Sequence, residues 1–561
     1  MKPAPRPCSP KTAAVLCLLA LGLASCNARF QRFALLDADG RGVALRETPG
    51  KPTDREGILE PARGDRVGPY YGLARPVTVG GDAALALRYR STLDSCRLIV
   101  YAEKKKVLAE ASLPPAETFP VRFLVPLHSG DVIRGFALST ESDSGKLELT
   151  GVSVVAMKRG FSLADGDFRL DASVRSLRAP SLAPPLSSCT VELSDEAEAS
   201  LKDGAWLFRL SQAVPPQGGG SGILEFRDAD GTRSRKFSVR SEGRAVDWSF
   251  TQAGIGFLPR TVSFSSRTAG WGLTGLDLAT LEDGAPLPAD PGQVLYADRK
   301  LWRNRDFELY SWDRFPDFLI MDAADYDVLD RTFNRLAFYV EKAGYAGRIL
   351  ENGDLQGLHA YNAHDYRSED LARFFAAVET QGVKLNRLEE ELRRTLERSG
   401  IIVRQGAGYT AGKGGILAIS RVGGDALREL LLTHESFHGV FFSLEEYREA
   451  CQKQWEALSP VETRIWKAFL GSKNYNTEDR YLMVNEFQAY LFQQEESKVA
   501  GYQATTLARL RAAAPALAGD IAEVAAMKPA SFLASFRSLD GTLRALDGLP
   551  GGIVILVRPL G

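Results

Sequence analysis

Short runs that alternate between hydrophobic and polar residues dominate the first quarter of the chain. Residues 84–90 and 96–101 have this pattern, and residues 119–125 and 146–155 continue it. Turn-forming residues separate the runs. Several short strands at this spacing are typical of a β-sandwich or a jelly roll. We therefore predict a first all-β domain over residues 26–158.

A second block of strand-like runs follows. Residues 222–227 and 236–240 read as strands joined by a turn at 228–231, and residues 261–266 read as a further strand. Glycine at the end of the turn supports a tight connection. This pattern predicts a second all-β sandwich or jelly-roll-like domain over residues 159–285.

The pattern changes after a segment rich in proline and glycine at residues 284–292. Residues 371–378 and 385–399 have the 3.6-residue period of amphipathic helices, whereas 415–420 is a continuous apolar run of strand length. Helical patterns then prevail almost to the end of the chain. The sequence thus predicts a third domain over residues 290–561 that is α+β and mostly helical.

The amino terminus has the features of a targeting segment. A basic start precedes an apolar run at residues 13–23, and the run ends in Leu23-Ala24-Ser25-Cys26. This arrangement resembles the lipobox of bacterial lipoproteins, in which the cysteine is lipidated and becomes the first mature residue. We expect a signal peptide at residues 1–25, a lipid bilayer anchor at Cys26, and an extracytoplasmic place in a bacterial cell envelope, either periplasmic or on the surface. An ordinary signal peptide is the alternative.

Composition removes one class of function. The formal net charge is -1 and 25% of the residues are charged, so no bulk attraction to nucleic acid is expected.

The strongest chemical signal is the segment His434-Glu435-Ser436-Phe437-His438. On a helix, histidines four residues apart project from one face and both imidazoles reach one metal ion. Glu435 is rotated by about 100° from His434, which suits a base beside the metal rather than a ligand. Because a buried helix with two histidines and a glutamate is costly without a partner, we predict one Zn²⁺ per chain. A chance match is the alternative.

The third metal ligand is expected to be a carboxylate, because no histidine follows His438. The best candidate is Glu486, which lies among apolar residues of a later helical segment. The alternative for Glu486 is an exposed ion pair with Arg480 or Lys498.

With Ala489 three residues after Glu486, the chain resembles the gluzincin metallopeptidases, the clan of thermolysin and the lethal-factor-like peptidases. The resemblance covers residues 400–495 and implies a zincin-like catalytic domain that hydrolyses peptide bonds in a protein or peptide substrate. It further implies that Glu435 is the general base, and later the proton donor, for a zinc-activated water.

Two further site assignments follow from the resemblance. It places a substrate-binding edge strand before the metal helix, at Gly415, Ile416, Leu417 and Ala418, for which an ordinary inner strand is the alternative. It also implies a tyrosine that stabilises the oxyanion, for which Tyr475 is the candidate, with Tyr481 and Tyr490 as competitors.

A polar and aromatic segment, residues 359–367, contains His359 and His364 and is a candidate lining of the cleft or a hydrogen-bonded loop. The main alternative function is a surface adhesin, a lipoprotein whose β domains bind a glycan or a protein and whose zinc site is inert or structural. An intact Glu435 argues against it, since binding needs no base beside the metal.

Overall fold

The structure is a computed structural model that describes residues 70–560 outside short gaps. Before residue 70 it describes only the backbone of residues 35–36, 42–43, 45–48 and 58–59. The later gaps are residues 80–82, 94–95, 103–105, 114–115, 128–129, 141–144, 157–158, 163–168, 171–173, 180–184, 196, 198–200, 202–205, 214–218, 282–283, 343 and 407. The predicted signal peptide at 1–25 and the predicted lipidation at Cys26 lie outside the described residues.

The chain forms two compact units, of which the first comprises residues 1–158 and 279–285. Its strands are β1 Leu35–Leu36, β2 Gly42–Val43, β3 Leu45–Thr48, β4 Ile58–Leu59, β5 Tyr70–Thr78, β6 Ala83–Ser91, β7 Cys96–Tyr101, β8 Val107–Leu113, β9 Ala116–Leu127, β10 Val132–Ser139 and β11 Leu147–Ala156. They run in two sheets, with orders β2-β1-β11-β6-β9, where β4 also pairs with β11, and β3-β5-β10-β7-β8. Leu87, Leu98 and Phe136 from the two sheets meet in one buried core, so the unit is a β-sandwich.

The second unit comprises residues 159–278 and 286–561, and its first part is again made of strands. They are β12 Arg159–Ser162, β13 Arg169–Leu170, β14 Val174–Arg178, β15 Ser188–Leu193, β16 Trp206–Gln212, β17 Gly220–Arg227, β18 Ser234–Ser241 and β19 Trp248–Thr251, followed by the short helix α1 Gln252–Ile255, β20 Thr261–Ser266 and β21 Leu273–Thr280. One sheet has the order β13-β12-β21-β16-β19, and the other contains β14-β15-β20-β17-β18. Phe208, Phe226 and Phe250 pack edge to face or tilted between them.

Helices prevail in the rest of the second unit. Its elements are β22 Leu287–Ala289, α2 Pro291–Leu295, a 3₁₀ turn at Arg299–Leu301, β23 Phe307–Trp312, β24 Phe315–Ala323, α3 Tyr326–Val340, β25 Ala363–Arg367, α4 Ser368–Gln381, α5 Arg387–Arg398, β26 Ile402–Gln405, β27 Gly408–Ala411, β28 Gly415–Ser420, α6 Asp425–Ser443, α7 Glu445–Glu456, α8 Pro460–Gly471, α9 Arg480–Phe492, α10 Glu496–Ala513, a 3₁₀ turn at Pro515–Leu517, α11 Ala518–Ala526, α12 Ser531–Leu546 and β29 Val557–Leu560. A five-stranded sheet of order β22-β23-β24-β28-β25 supports the helices. The prediction of β structure in the N-terminal part and helices in the C-terminal part is confirmed.

The second β block, predicted as a separate domain over 159–285, is continuous with the helical part predicted over 290–561. The last strand of the chain, β29, pairs with β18, with Val557 opposite Val239. The Arg314 guanidinium donates to the Asp547 carboxylate at 2.7 Å and to the Glu242 carbonyl at 3.1 Å. These contacts join residues far apart in sequence, so the two segments predicted as separate domains belong to one compact unit.

The predicted substrate strand does not lie at the edge of its sheet. The strand itself exists as β28, but Gly415 pairs with Phe318 of β24 on one side and with Arg367 of β25 on the other. All six residues of β28, including Ile416, Leu417 and Ala418, are buried. An inner strand has no free backbone groups for a second chain, so the edge that a substrate can pair with belongs to β25.

Within the described residues, no helix combines the length and the apolar character that crossing a bilayer requires.

Candidate metal centre

Helix α6 carries the two histidines in a buried stretch. Residues 432–441 are all buried, whereas Leu427 and Leu430 near the start of the helix are exposed. The helix lies against the five-stranded sheet, where a side chain at Gly439 would contact Trp312. Close packing at this glycine fixes the rotation of the helix, and with it the direction of His434 and His438.

A buried ion pair anchors the start of α6 to the sheet. The Arg428 guanidinium donates to both Asp322 carboxylate oxygens, at 3.0 and 3.1 Å, and to the Ser420 carbonyl at 3.1 Å. Both charged side chains are almost completely buried, with exposures of 4% for Arg428 and 0% for Asp322. Because Nη2 of the guanidinium contacts Asp322 and Nε contacts Ser420, the helix is held in one orientation.

Helix α9 brings the third residue to the same place. Asp479 caps its first turn by accepting from the Leu482 amide at 3.1 Å. The buried Gln488 side chain donates to the Phe437 carbonyl of α6 at 3.1 Å and accepts from the Tyr447 hydroxyl at 3.2 Å. These bonds hold α9 against α6, and Glu486 of α9 lies beside the two histidines.

The side chains of His434, His438 and Glu486 converge and are all buried. The two Nε2 atoms are 3.2 Å apart. Glu486 Oε2 lies 3.5 Å from His434 Nε2, and Oε1 lies 3.7 Å from His438 Nε2. Ligand atoms around a tetrahedral zinc ion are separated by roughly 3.3–3.6 Å, given bonds of about 2.0–2.2 Å. The alternative partners of Glu486 are engaged elsewhere, since Arg480 pairs with Glu456 and Lys498 with Glu495.

The electrostatics of these side chains favour a bound cation. Burial lowers the pKa of His434 to about 4, so its imidazole is neutral at pH 7 and has a free lone pair. Oε2 of Glu435 and Oε2 of Glu486 are buried without a hydrogen-bond partner. Burial and the neighbouring carboxylates of Asp365 and Glu341 raise the pKa of Glu435 well above its usual range. Two imidazoles among buried carboxylates are the donor set of a divalent metal, and zinc fits it.

Asp365 is a member of this site that the sequence reasoning did not identify. Its Oδ1 lies 3.6 Å from His438 Nε2, and its side chain is 13% exposed. Its carboxyl group lies beside that of Glu435, with ligand atoms within 4.8 Å of one another. With Glu435 and His438 it makes a second group close enough to hold a metal ion. The sequence feature that points to Asp365 is its position in the polar and aromatic segment 359–367, but that segment was interpreted only through its two histidines.

The two histidines of that segment lie in different surroundings. His364 is buried, stacks on Phe333 and lies with Nδ1 3.1 Å from the Tyr366 hydroxyl. Burial lowers the pKa of His364 to about 3. His359 is 43% exposed and pairs with Asp330 at 2.8 Å, so it is not a part of the metal centre.

Of the three candidate tyrosines, two lie in the site. Tyr475 hydrogen-bonds to Glu486 and stacks on Tyr361 with ring centroids 5.6 Å apart. The Tyr490 ring lies edge-on to His434 at 4.6 Å. Tyr481 instead packs under the Arg367 guanidinium. The contact with Glu486 gives Tyr475 a position as an outer partner of a candidate metal ligand, and its role towards the oxyanion stays a prediction.

A pocket of about 440 Å³ opens over His434 and Glu435. Residues 361–365 line one side of it, and Tyr502 and Arg509 of α10 line another. Glu435 is therefore accessible from a cavity large enough for several residues of a peptide.

No protein-family model matches the chain, and no curated protein is significantly similar to it. Among solved structures, a Paenibacillus xanthan lyase is 12% identical with a TM-score of 0.20, over 44% of this chain and 26% of the lyase. The tandem CBM22-1–CBM22-2 domain of Paenibacillus barcinonensis Xyn10C is 10% identical with a TM-score of 0.16, over 43% of this chain and 91% of that domain pair. The chain thus spans about a quarter of the lyase, and similarities this low identify neither its fold nor its function.

Proposed function

We propose that this protein is a zinc metallopeptidase that hydrolyses peptide bonds, with His434, His438 and Glu486 as the metal ligands. The observation that carries the proposal is the convergence of these three side chains beside Glu435, which lies at the wall of an open pocket. The chemistry that zinc supplies when bound is polarisation of a carbonyl and acidification of water.

Glu435 is the residue that moves the proton. Its Oε2 is buried and lacks a hydrogen-bond partner, so it is available to accept a proton from the attacking water. The same carboxyl then returns the proton to the leaving amine, as a general base and acid in succession. Burial and the neighbouring Asp365 carboxylate raise the pKa of Glu435, which makes it a stronger base, and Tyr475 holds Glu486.

The free edge of β25 is the binding surface for the substrate backbone. β25 is the last strand of its sheet, and it carries Asp365 next to Glu435. An extended peptide that adds to this edge places its carbonyl groups along the line of the metal centre. This replaces the role that the sequence assigned to Gly415–Ala418.

We further propose that the peptidase is anchored to a bacterial envelope membrane through acylated Cys26, because of the Leu23–Cys26 lipobox. A Cys26→Ser variant expressed in a bacterial host is expected to leave the membrane fraction and to lose labelling by palmitate. Labelling that persists would contradict the assignment.

The function is tested by zinc analysis together with cleavage of casein and of a peptide library. Wild type is expected to bind one Zn²⁺ and to cleave, whereas Glu435→Gln binds zinc and loses cleavage by about 10³-fold. Glu429→Gln on the same helix is the matched control, since Glu429 pairs with Arg558 away from the centre, and it should retain most of the activity. If wild type binds zinc and cleaves nothing, the protein is better described as a binding lipoprotein with an inert zinc site.

A further inference from the structure

A second pocket, of about 520 Å³, lies at the other end of the edge strand. Arg367 at the end of β25, Lys413 in the loop before β28 and Arg448 of α7 line it, together with Phe442 at the end of α6. Arg244 from the second β block also lines it. We call this cavity the basic pocket.

The basic pocket adjoins the metal centre along β25. Asp365 and Arg367 are two residues apart on the strand and therefore face the same side, about 6.6 Å from each other along its axis. Asp365 lies beside His438 in the metal centre, and Arg367 lines the basic pocket. If a peptide extends along this edge with its cleaved bond at the metal centre, a residue about two positions from that bond lies at the basic pocket.

The metal helix makes the same connection. Phe442 follows His438 by about one helical turn, and the two rings are stacked with centroids 6.4 Å apart. Phe442 thus forms the partition between the histidine and the basic pocket. Two independent elements, a strand and a helix, place the pocket next to the reacting groups.

Positive charge exceeds negative charge around the cavity. Five cationic side chains line it against two carboxylates, which are Arg244, Arg314, Arg367, Lys413 and Arg448 against Asp317 and Glu369. Some of this charge is compensated from outside the pocket, because Arg314 and Arg244 pair with Asp547 and Arg367 pairs with Asp370.

Two of the cationic side chains form no ion pair with a carboxylate among the described residues. The Arg448 guanidinium donates to the carbonyls of Phe441 and Phe442, at 3.2 and 3.3 Å, and neutral acceptors leave its charge uncompensated. Lys413 is exposed and has no ion pair within the part of the chain that the structure describes. Cations held next to a cleft recognise a carboxylate.

We propose that the basic pocket binds a carboxylate of the peptide substrate about two residues from the cleaved bond. The carboxylate comes from an aspartate or glutamate side chain or from the free carboxyl terminus of the peptide. This inference rests on the proposed peptidase function.

The experiment is cleavage of a proteome-derived peptide library by the zinc-loaded full chain, read by mass spectrometry. Wild type is expected to enrich acidic residues, or the peptide terminus, at one position within about three residues of the cut. Lys413→Glu and the double variant Lys413→Glu/Arg448→Glu are expected to shift the ratio of acidic to basic residues at that position by about fivefold or more towards basic. Lys413→Glu alone serves if loss of the Arg448 contacts unfolds the double variant.

The controls separate the outcomes. Lys453→Glu lies on the same helix as Arg448, outside the pocket, and should leave the preference unchanged. A single cleaved peptide tested with glutamine in place of its acid, and with an amidated terminus, tells a side-chain carboxylate from a terminal one. Cleavage without an acidic preference, or a preference that charge reversal does not alter, overturns the pocket assignment alone. A zinc-loaded wild type that cleaves no peptide overturns the proposed function and the assignment with it.

Discussion

The first β-sandwich and the helical part of the second unit differ in what they bury. In the described part of residues 70–156, the buried polar side chains are Ser91 and Thr140, both small and neutral. The helical part instead buries Glu435, Glu486 and both histidines of α6, each at 6% exposure or less.

This difference separates a core that is almost entirely apolar from one that also contains ionisable groups. An apolar core is stabilised by burial itself, whereas an ionised carboxylate out of water costs several kcal/mol unless it is paired. The side chains on which the proposed metal site depends therefore lie in the second unit.

The largest expected effect concerns the buried ion pair of the helical part. Asp322→Ala leaves Arg428 buried without its partner, and we expect the free energy of unfolding of the second unit to fall by about 3–5 kcal/mol. Urea denaturation followed by tryptophan fluorescence measures this, because all seven tryptophans lie in the second unit.

The matched change in the sandwich is Ser91→Ala. The Ser91 hydroxyl accepts from the Leu93 amide at 3.1 Å, and its loss should cost about 1 kcal/mol, followed by circular dichroism. If Asp322→Ala lowers the free energy of unfolding by no more than Ser91→Ala does, the buried charges of the helical part contribute no more to stability than the buried neutral groups of the sandwich.

A smaller effect is expected on metal affinity. His438→Ala and Glu486→Gln each remove a ligand, so we expect zinc affinity to fall by about 100-fold or more, measured by competition with a chelator. His359→Ala is the matched control, because His359 is exposed and pairs with Asp330. Equal affinity of Glu486→Gln and wild type would remove Glu486 from the metal site.

The smallest effect is expected for Tyr475→Phe. Loss of its hydrogen bond to Glu486 should weaken zinc binding by about tenfold, as for other outer partners of metal ligands. Tyr481→Phe, outside the centre, should leave the affinity unchanged. A loss of cleavage at unaltered zinc affinity would instead support Tyr475 as the donor to the oxyanion.

The sequence predicted those parts of the site that depend on the spacing of residues within one segment. The spacing of His434 and His438 defines one face of one helix, and the scarcity of histidine pointed to Glu486. Asp365 was missed because it is a single carboxylate on a short polar strand, and only the fold brings it to Glu435.

Sheet order was the second feature beyond the reach of the sequence. The sequence of β28 is more typical of a strand than that of β25, yet β28 is an inner strand of the sheet. The free edge belongs to β25, which precedes β28 by some 50 residues. Strand order depends on contacts that no local pattern encodes. The same holds for β29, which pairs with β18 from the far end of the chain.

Anomalous diffraction at the zinc edge, from crystals of the zinc-loaded protein, tests the central assignment most directly. We expect one strong peak within about 2.0–2.2 Å of His434 Nε2, His438 Nε2 and a Glu486 carboxylate oxygen. A peak bound elsewhere, or none at these three side chains in protein that has taken up zinc, would contradict it.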